Sequence, residues 1–204
     1  MDMPNIHVDE LKQDKEFLDN IKRLEQESKE ENSIDKAYKL LDAKLIIEAS
    51  EDEINEVFGF IVNSAFDKLS TYLTEHKSFD VVSSEEERAI ARAIYEYAMQ
   101  RYSENDFKGA REMFLVLYHT IDYDELQDAM MVHACAISDG VDFDRFIDEF
   151  IDIDAIDPYD PLSFFTYKFT KPTATLLKDY EIHIQQAKEE LKVLQQDKEQ
   201  TTKG

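Results

Sequence analysis

The chain has 204 residues, of which 46 are acidic and 23 are basic, so its formal net charge is −23. Such a charge argues against unaided binding to nucleic acid, whose phosphates need a basic face, and against binding to an anionic membrane surface. Gly and Pro number only four each, which is too few turn residues for an all-β fold, whereas 43% of the residues are hydrophobic. We therefore predict an all-α protein with a buried core and with basic or apolar partners.

The number of cysteines and the hydropathy of the chain indicate the cellular compartment in which the protein folds. The single cysteine, Cys135, excludes an intramolecular disulfide framework and a cysteine-rich metal site. The N-terminus is acidic and polar, unlike a secretory signal, and no window reaches the roughly 18 apolar residues of a membrane span. The sequence thus predicts a cytoplasmic protein with no membrane segment, whose acidity mainly confers solubility.

The N-terminal part of the chain predicts three helices. Residues 1–32 are rich in charge, with apolar residues at three- and four-residue steps, which indicates an amphipathic helix that forms when docked or, alternatively, a frayed arm. Ser33 is the predicted N-cap of a second helix. Ser50 and Glu53 form a capping-box pattern that opens a third helix, ending near His76. The predicted buried stripe of the second helix comprises Ile34, Ala37, Tyr38, Leu41, Leu45 and Ile46.

A linker around residue 82 suggests a domain boundary. We predict an N-terminal helical extension over 1–82 for dimerisation or capping, a repeat domain over 83–195 and a flexible tail over 196–204. Ser84 is the N-cap candidate for the first of three helices, which are predicted at 84–103, 107–120 and 123–139, with Gly140 as the C-terminal cap.

The remaining segments are less regular. Apolar residues between Phe143 and Ile151 predict a further helix, followed by a turn region with two prolines. The aromatic stretch PLSFFTYKFTKP is either a brief helix or an irregular packed segment. The last helix is predicted to open at Pro172 or Thr173 and to continue unbroken toward the C-terminus.

Helical hairpins spaced at about 34 residues indicate tetratricopeptide-like repeats, an α-solenoid with additional N-terminal helices. In the first repeat the small residues Ala98 and Ala110 allow two helices to approach, and Phe107 and Phe114 fill the sides. The second repeat is degenerate, because FDRFIDEF lacks the small residue and is shifted by an insertion. A third repeat would need PLSFFTYKFT as its first helix, which matches poorly.

The segments AIYEYAMQRYSENDFKGAREMFLVLYHTIDYDE and HACAISDG resemble the class II chaperones of bacterial type III secretion, which escort hydrophobic translocator proteins. The order of features is similar: Ile-Tyr, a Tyr-containing helix, an Ala-anchored second helix, an aspartate/tyrosine turn, and a small-Ala-Cys stretch before Gly. The resemblance covers residues 84–155 and, more loosely, 156–195. Residues 1–82 are longer than the N-terminal region typical of that family.

The resemblance implies a cupped helical array whose concave face holds an extended peptide from the N-terminal region of a translocator. The first helix of each repeat would face this groove, where aromatic and Met side chains offer adaptable apolar pockets. The implied peptide-binding residues are Arg92, Tyr95, Met99, Tyr102, Gln127, Met130, Ala134 and Ile137. The alternative is that Tyr95, Tyr102 and Met130 are simply core residues.

No residue pattern indicates catalysis, a cofactor or a metal. His133 and Cys135 are two positions apart on a predicted helix, so their side chains diverge. The apolar residues interleaved with the aspartates between Asp139 and Asp160 follow helical spacing, and the glycine comes too early for a calcium loop, which favours a solvated acidic face. We therefore predict a non-enzymatic secretion chaperone, with a general scaffold or regulatory adaptor as the alternative. The N-terminal helices are predicted to pack on the repeats or to form a homodimer interface.

Overall fold

The computed structural model describes residues 8–201, and the side chains of residues 8–192. Within this part of the chain the structure is all-α, as predicted, with hairpins of neighbouring helices and no extended strand. The helices are α1 (Val8–Leu11), α2 (Lys15–Glu30), α3 (Ile34–Ile46), α4 (Glu51–Glu75), α5 (Glu85–Ser103), α6 (Phe107–Thr120), α7 (Asp124–Ser138), α8 (Phe143–Phe150), α9 (Thr173–Asp179) and α10 (Glu181–Thr201).

Side-chain caps begin the helices where the sequence predicted them. The Ser33 hydroxyl accepts from the Lys36 N–H at the start of α3, and Ser84 does the same for Glu87 in α5. Ser50 and Glu53 form the reciprocal capping box of α4. At the other end of α4, His76 takes the left-handed conformation with φ of +54°, so the helix ends there as predicted.

The N-terminal helices form a continuous hydrophobic core with the rest of the chain. Helix α2 docks on α3 through buried Ile21 and Leu24, so residues 15–30 form the docked helix rather than a frayed arm. Helices α3 and α4 in turn pack against α5. The predicted stripe of α3 was wrong at its end, because Leu45 and Ile46 are 51% and 44% exposed.

The reason for that error is helical phase. Ala37, Leu41 and Lys44 continue the inward face at three- and four-residue steps, and the next two residues turn outward. The aliphatic stem of Lys44 is buried, and its ammonium group donates to Glu53 at 3.1 Å. A lysine thus occupies the place that the sequence pattern assigned to leucine.

Helices α5, α6 and α7 are consecutive antiparallel neighbours and form the centre of the molecule. Ala98 and Ala110 are completely buried, as the close approach of two helices requires, and Phe114 is buried beside them. Phe107 instead remains 39% exposed. Before α5, the backbone of Phe79 bridges to Ile121, so the linker at residues 77–84 is tied to the end of α6.

The chain departs from a regular repeat after α7. Helix α8 has only 8 residues. The predicted unbroken last helix was wrong, because it is interrupted at Tyr180 and divided into α9 and α10. Helix α10 lies against α6 and α7, where the Arg111 guanidinium contacts both carboxylate oxygens of Glu190 at 2.8 and 3.0 Å. This bidentate contact holds α10 beside α6 and α7.

Two further expectations from the sequence concern membrane-spanning segments and the C-terminal tail. No helix of the described residues is long and apolar enough to cross a membrane. The flexible tail predicted at 196–204 falls partly on residues 202–204, which lie outside the described residues. The backbone of α10 continues through Thr201.

Candidate peptide groove

The predicted groove positions of α5 and α7 are not open to solvent. Arg92, Met99 and Gln127 are partly buried. The others have 7% exposure or less, and they are Tyr95, Tyr102, Met130, Ala134 and Ile137. On α5 these positions lie beneath two other elements of the same chain.

An irregular aromatic segment covers Arg92 and Tyr95. We call residues 162–169 the strap; it begins in a turn and continues as an irregular chain that ends in an isolated antiparallel bridge between Phe169 and Ile151. Phe165 is completely buried, with its ring centroid 5.4 Å from that of Tyr95 and the rings inclined by 64°. The proline-flanked stretch is therefore an irregular packed segment, the second of the two alternatives that the sequence left open.

A hydrogen-bonded triad joins the strap to α5 and α7. The Thr166 N–H donates to the Tyr95 hydroxyl at 3.1 Å, and the hydroxyl groups of the same two residues contact each other. Nε2 of His133 lies 3.3 Å from the Tyr95 hydroxyl and 3.2 Å from the Thr166 hydroxyl. Each buried polar atom of the triad thus has a partner, as polar groups removed from water require.

The protonation state of His133 follows from its partners. Its Nδ1 lies 2.8 Å from the Ala129 carbonyl oxygen, which can only accept, so Nδ1 carries the proton and Nε2 accepts from a hydroxyl. Burial lowers the pKa of His133 to about 4 and raises the pKa of Tyr95 to about 12. Both side chains are therefore neutral around pH 7, which suits an apolar contact surface.

Aromatic rings enclose the imidazole of His133. The ring centroids of Phe114 and Phe146 each lie 4.7 Å from that of His133, and the centroid of Phe169 in the strap lies 6.0 Å from it. These rings come from α6, α8 and the strap, so His133 is where four elements of the chain meet. It acts as a polar anchor within an otherwise apolar cluster.

Arg92 connects the strap to the N-terminal helices. Its guanidinium carbon lies 4.0 Å from the ring centroid of Tyr38 in α3 and 4.3 Å from that of Phe164 in the strap. Its Nε donates to Glu96 at 2.7 Å, and the Tyr38 hydroxyl donates to the same carboxylate at 2.6 Å. A cation between two aromatic faces gains electrostatic attraction as well as packing.

The strap is also fixed at both ends. At its start the Leu162 N–H and the Tyr167 hydroxyl donate to the carboxylate of Asp160. Near its end Lys168 pairs with Glu125 of α7 at 3.0 Å, and the Lys168 carbonyl accepts from the Asp152 N–H at 2.9 Å. These contacts set its direction across α5 and α7.

Helix α8 covers the remaining part of the α5 face. The Tyr102 hydroxyl donates to the Val141 carbonyl at 2.7 Å, and its ring contacts Phe143 and Phe146 at 5.6 and 5.9 Å between centroids. Burial raises the pKa of Tyr102, which keeps this donor protonated. The strap and α8 together cover the face that the resemblance assigned to a peptide.

The contacts of α7 fall on a different phase from the predicted one. Glu125 and His133 of α7 contact the strap with their side chains, whereas Gln127 donates to the Ile121 carbonyl at the end of α6. The sequence interpretation missed Glu125, Phe165 and Thr166 and treated His133 as a packing residue. A signal was present in the sequence, because Glu125 and His133 are two four-residue steps apart, on one face of a helix.

The side chains near the groove give no indication of catalytic chemistry. Burial raises the pKa of Cys135 to about 11, so its thiol is held protonated. Among the described residues no group of three or more His, Cys, Asp or Glu side chains could hold a metal ion. What the site offers is aromatic surface, one neutral hydrogen-bonding pair and two charges at its edges. In this structure the strap and α8 of the same chain cover that surface.

Comparison with known proteins gives no match: no protein-family model, no curated protein and no solved structure is significantly similar to this chain.

Proposed function

We propose that this protein is a non-catalytic chaperone that binds an extended polypeptide on the inner face of α5 and α7. The observation that carries the proposal is the strap itself, an aromatic segment held across these helices through side chains such as Phe165 and Thr166. Peptide-binding grooves hold extended clients in a similar way, with side-chain pockets for specificity and with hydrogen bonds to the main chain, such as the bond from the Thr166 N–H to Tyr95.

The finer proposal follows the resemblance to class II chaperones. The client would be the N-terminal segment of a hydrophobic translocator of a type III secretion system, bound in the cytoplasm before export. Covering aromatic and aliphatic side chains of the client would prevent its aggregation. The net charge of −23 would keep the complex soluble and disfavour association with acidic proteins.

The test is co-expression with a type III translocator that is insoluble alone, followed by affinity capture. The expected result is a soluble complex of the two chains. Arg92→Ala should weaken capture at least tenfold, because it removes the cation that lies at the edge of the groove. Lys108→Ala on α6, whose side chain is 88% exposed, is the matched control and should capture normally.

Two outcomes would contradict the proposal. One is that the translocator remains insoluble with the chaperone present. The other is that both variants capture it equally well while circular dichroism shows both to be folded. Tyr95 and Met130 are unsuitable for charged substitutions, since they are 2% and 0% exposed and a buried charge would unfold the protein.

Self-association through the N-terminal helices is a separate prediction. Leu45 and Ile46 leave apolar surface at the end of α3, and a second copy could cover it. Light scattering at micromolar concentration should then show a dimer, and Leu45→Glu should convert it to a monomer. A monomer for the unmodified chain would rule out this interface.

A further inference from the structure

We propose that the strap is an intramolecular substitute for the client, and that the groove accepts extended segments that carry its side-chain pattern. That pattern, read from residues 165–169, is aromatic, then Ser or Thr, then any residue, then Lys or Arg, then aromatic. This inference rests on the proposed function, because it takes peptide binding by α5 and α7 as given, and it specifies the chemistry of the client.

The first position requires an aromatic ring. Phe165 is completely buried and meets the edge of Tyr95, while Tyr95 meets Phe114 of α6 at 5.9 Å. The walls of this pocket therefore belong to helices that stay in place when the strap is exchanged. A client without an aromatic side chain would leave these rings uncovered, at a cost proportional to the apolar area exposed to water.

The second position requires a hydroxyl. Thr166 meets both Tyr95 and His133 with its hydroxyl and donates its N–H to Tyr95. An apolar side chain of the same size would place a methyl group against these two buried polar atoms. Sites built to bond a hydroxyl discriminate strongly against analogues that lack one, because their own polar groups lose a partner.

The fourth and fifth positions set charge and direction. Lys168 pairs with Glu125 at the N-terminal end of α7, and Phe169 packs against His133 and pairs in a backbone bridge with Ile151. A basic residue here also suits the acidic surface of the whole chain, which attracts positive segments and repels negative ones.

The surroundings of the strap allow exchange. Residues 151–172 join α8 to α9 with a single short 3₁₀ turn at Ile153–Ala155. Long connections of this kind in compact domains are commonly binding loops or lids. Ile151 and Ile156 hold the preceding part of this connection on the core, whereas Ile153 and Tyr159 are 65% and 92% exposed, so these two positions make no core contact that an exchange would have to break. Replacing the strap by a client with the same pattern restores its contacts without moving the helices.

The experiment uses the whole chain and a fluorescein-labelled peptide with the sequence of residues 160–171. The double variant Phe165→Ala/Thr166→Ala weakens the strap of the protein and leaves the helices intact. We expect it to bind the peptide at least tenfold more tightly than the unmodified chain does, by fluorescence anisotropy. The matched control is Tyr159→Ala, in the same loop but outside the strap, which should bind as weakly as the unmodified chain.

Peptide specificity supplies the decisive comparison. A peptide in which the positions of Phe165 and Thr166 are both alanine should bind the double variant at least tenfold more weakly than the native peptide. Equal affinity for the two peptides, or no binding by a double variant that circular dichroism shows to be folded, would overturn the inference.

Hydrogen exchange on the unmodified chain keeps the test valid if the double variant does not fold. An excess of the native peptide should accelerate exchange of the Thr166 and Thr170 amides, which are bonded to Tyr95 and Phe150. Unchanged exchange of both amides at millimolar peptide would count as refutation.

The inference and the proposed function can fail separately. If the double variant captures a type III translocator but not the strap peptide, the function holds and the pattern is wrong. If it binds the strap peptide and no translocator, the pattern holds and the secretion assignment is wrong.

Discussion

The Glu86 carboxylate in the first turn of α5 accepts a hydrogen bond of 2.9 Å from the backbone N–H of Ile34, the first residue of α3. The same carboxylate accepts from the Asp35 N–H at 3.0 Å, from the Ser33 hydroxyl at 2.8 Å and from Lys68 of α4 at 2.5 Å. One side chain on α5 therefore caps α3 and binds α4. Burial acts to raise the pKa of Glu86, but these hydrogen bonds outweigh it and the pKa lies below its ordinary value.

Glu86→Ala should lower the free energy of unfolding by about 2 kcal/mol, because it removes a helix cap and leaves Lys68 without this partner. Urea denaturation followed by circular dichroism measures the change. Glu85→Ala is the control, since Glu85 is exposed and pairs with Lys39 at the surface; its effect should stay within about 0.5 kcal/mol. Equal effects of the two variants would contradict the role given to Glu86.

His133 should make folding sensitive to mild acid. Its folded pKa of about 4 lies below its ordinary value of 6.5, so the unfolded chain takes up the proton first as the pH falls. The contribution of neutral His133 to the free energy of unfolding is fully present above pH 6.5, declines between pH 6.5 and 4, and is lost below pH 4. The difference corresponds to roughly 3 kcal/mol.

The pH dependence is checked by urea denaturation at several pH values between 7 and 4.5. His133→Phe removes the titrating group in an aromatic environment and should flatten the profile in this range. His76→Asn, which replaces an exposed histidine at a left-handed position that asparagine tolerates, is the control substitution. If the pH profile of His133→Phe matches that of the unmodified chain, His133 is not the source of the acid sensitivity.

Two glycines should respond to alanine with opposite signs. Gly140 has φ of +78° at the end of α7, so Gly140→Ala should destabilise the protein by about 1 kcal/mol. Gly59 lies inside α4 with open space where a Cβ would be placed, so Gly59→Ala should stabilise it by about 0.5–1 kcal/mol. Thermal unfolding of both variants against the unmodified chain tests the pair, and a shift of the same sign in both would refute it.

Cys135 should be unreactive in the folded protein. The residue is 1% exposed, and burial raises the pKa of its thiol to about 11, so little thiolate is available at pH 8. Reaction with a disulfide reagent should be at least ~100-fold slower than in denaturant. Ser83→Cys in a Cys135→Ala background supplies an exposed thiol as the comparison. Fast reaction of native Cys135 would show that α7 opens readily.

The elements that the sequence predicted well are governed by local interactions. Ser33, Ser50 and Ser84 cap helices through their own hydroxyl groups, and the small residues Ala98 and Ala110 mark the close approach of α5 and α6. These features depend on residues a few positions apart, so the pattern was sufficient.

The site itself depended on contacts that the sequence pattern does not contain. Adjacent residues of a helix point in directions about 100° apart, so an error of one residue in the assignment of the inner face of α7 selects Ala134 instead of His133. That residues 162–169 cover Tyr95 is a contact across 71 positions in the chain. Nothing in the local pattern of the strap determines which helices it meets, because that depends on where α8 and α9, the helices that it connects, pack.

The position of Arg92 between Tyr38 and Phe164 has a consequence for cooperativity. Tyr38 belongs to the N-terminal helices and Phe164 to the strap, so one side chain on α5 is held from both sides. Removing residues 1–82 would take away the Tyr38 ring from one face of the Arg92 guanidinium and would weaken the contact of its other face with Phe164. A client that replaces the strap would contact Arg92 and, through it, stabilise the packing of Arg92 against Tyr38 of α3. We therefore expect the extension and the groove to unfold in a single transition, and ligand occupancy to raise the melting temperature of the whole chain.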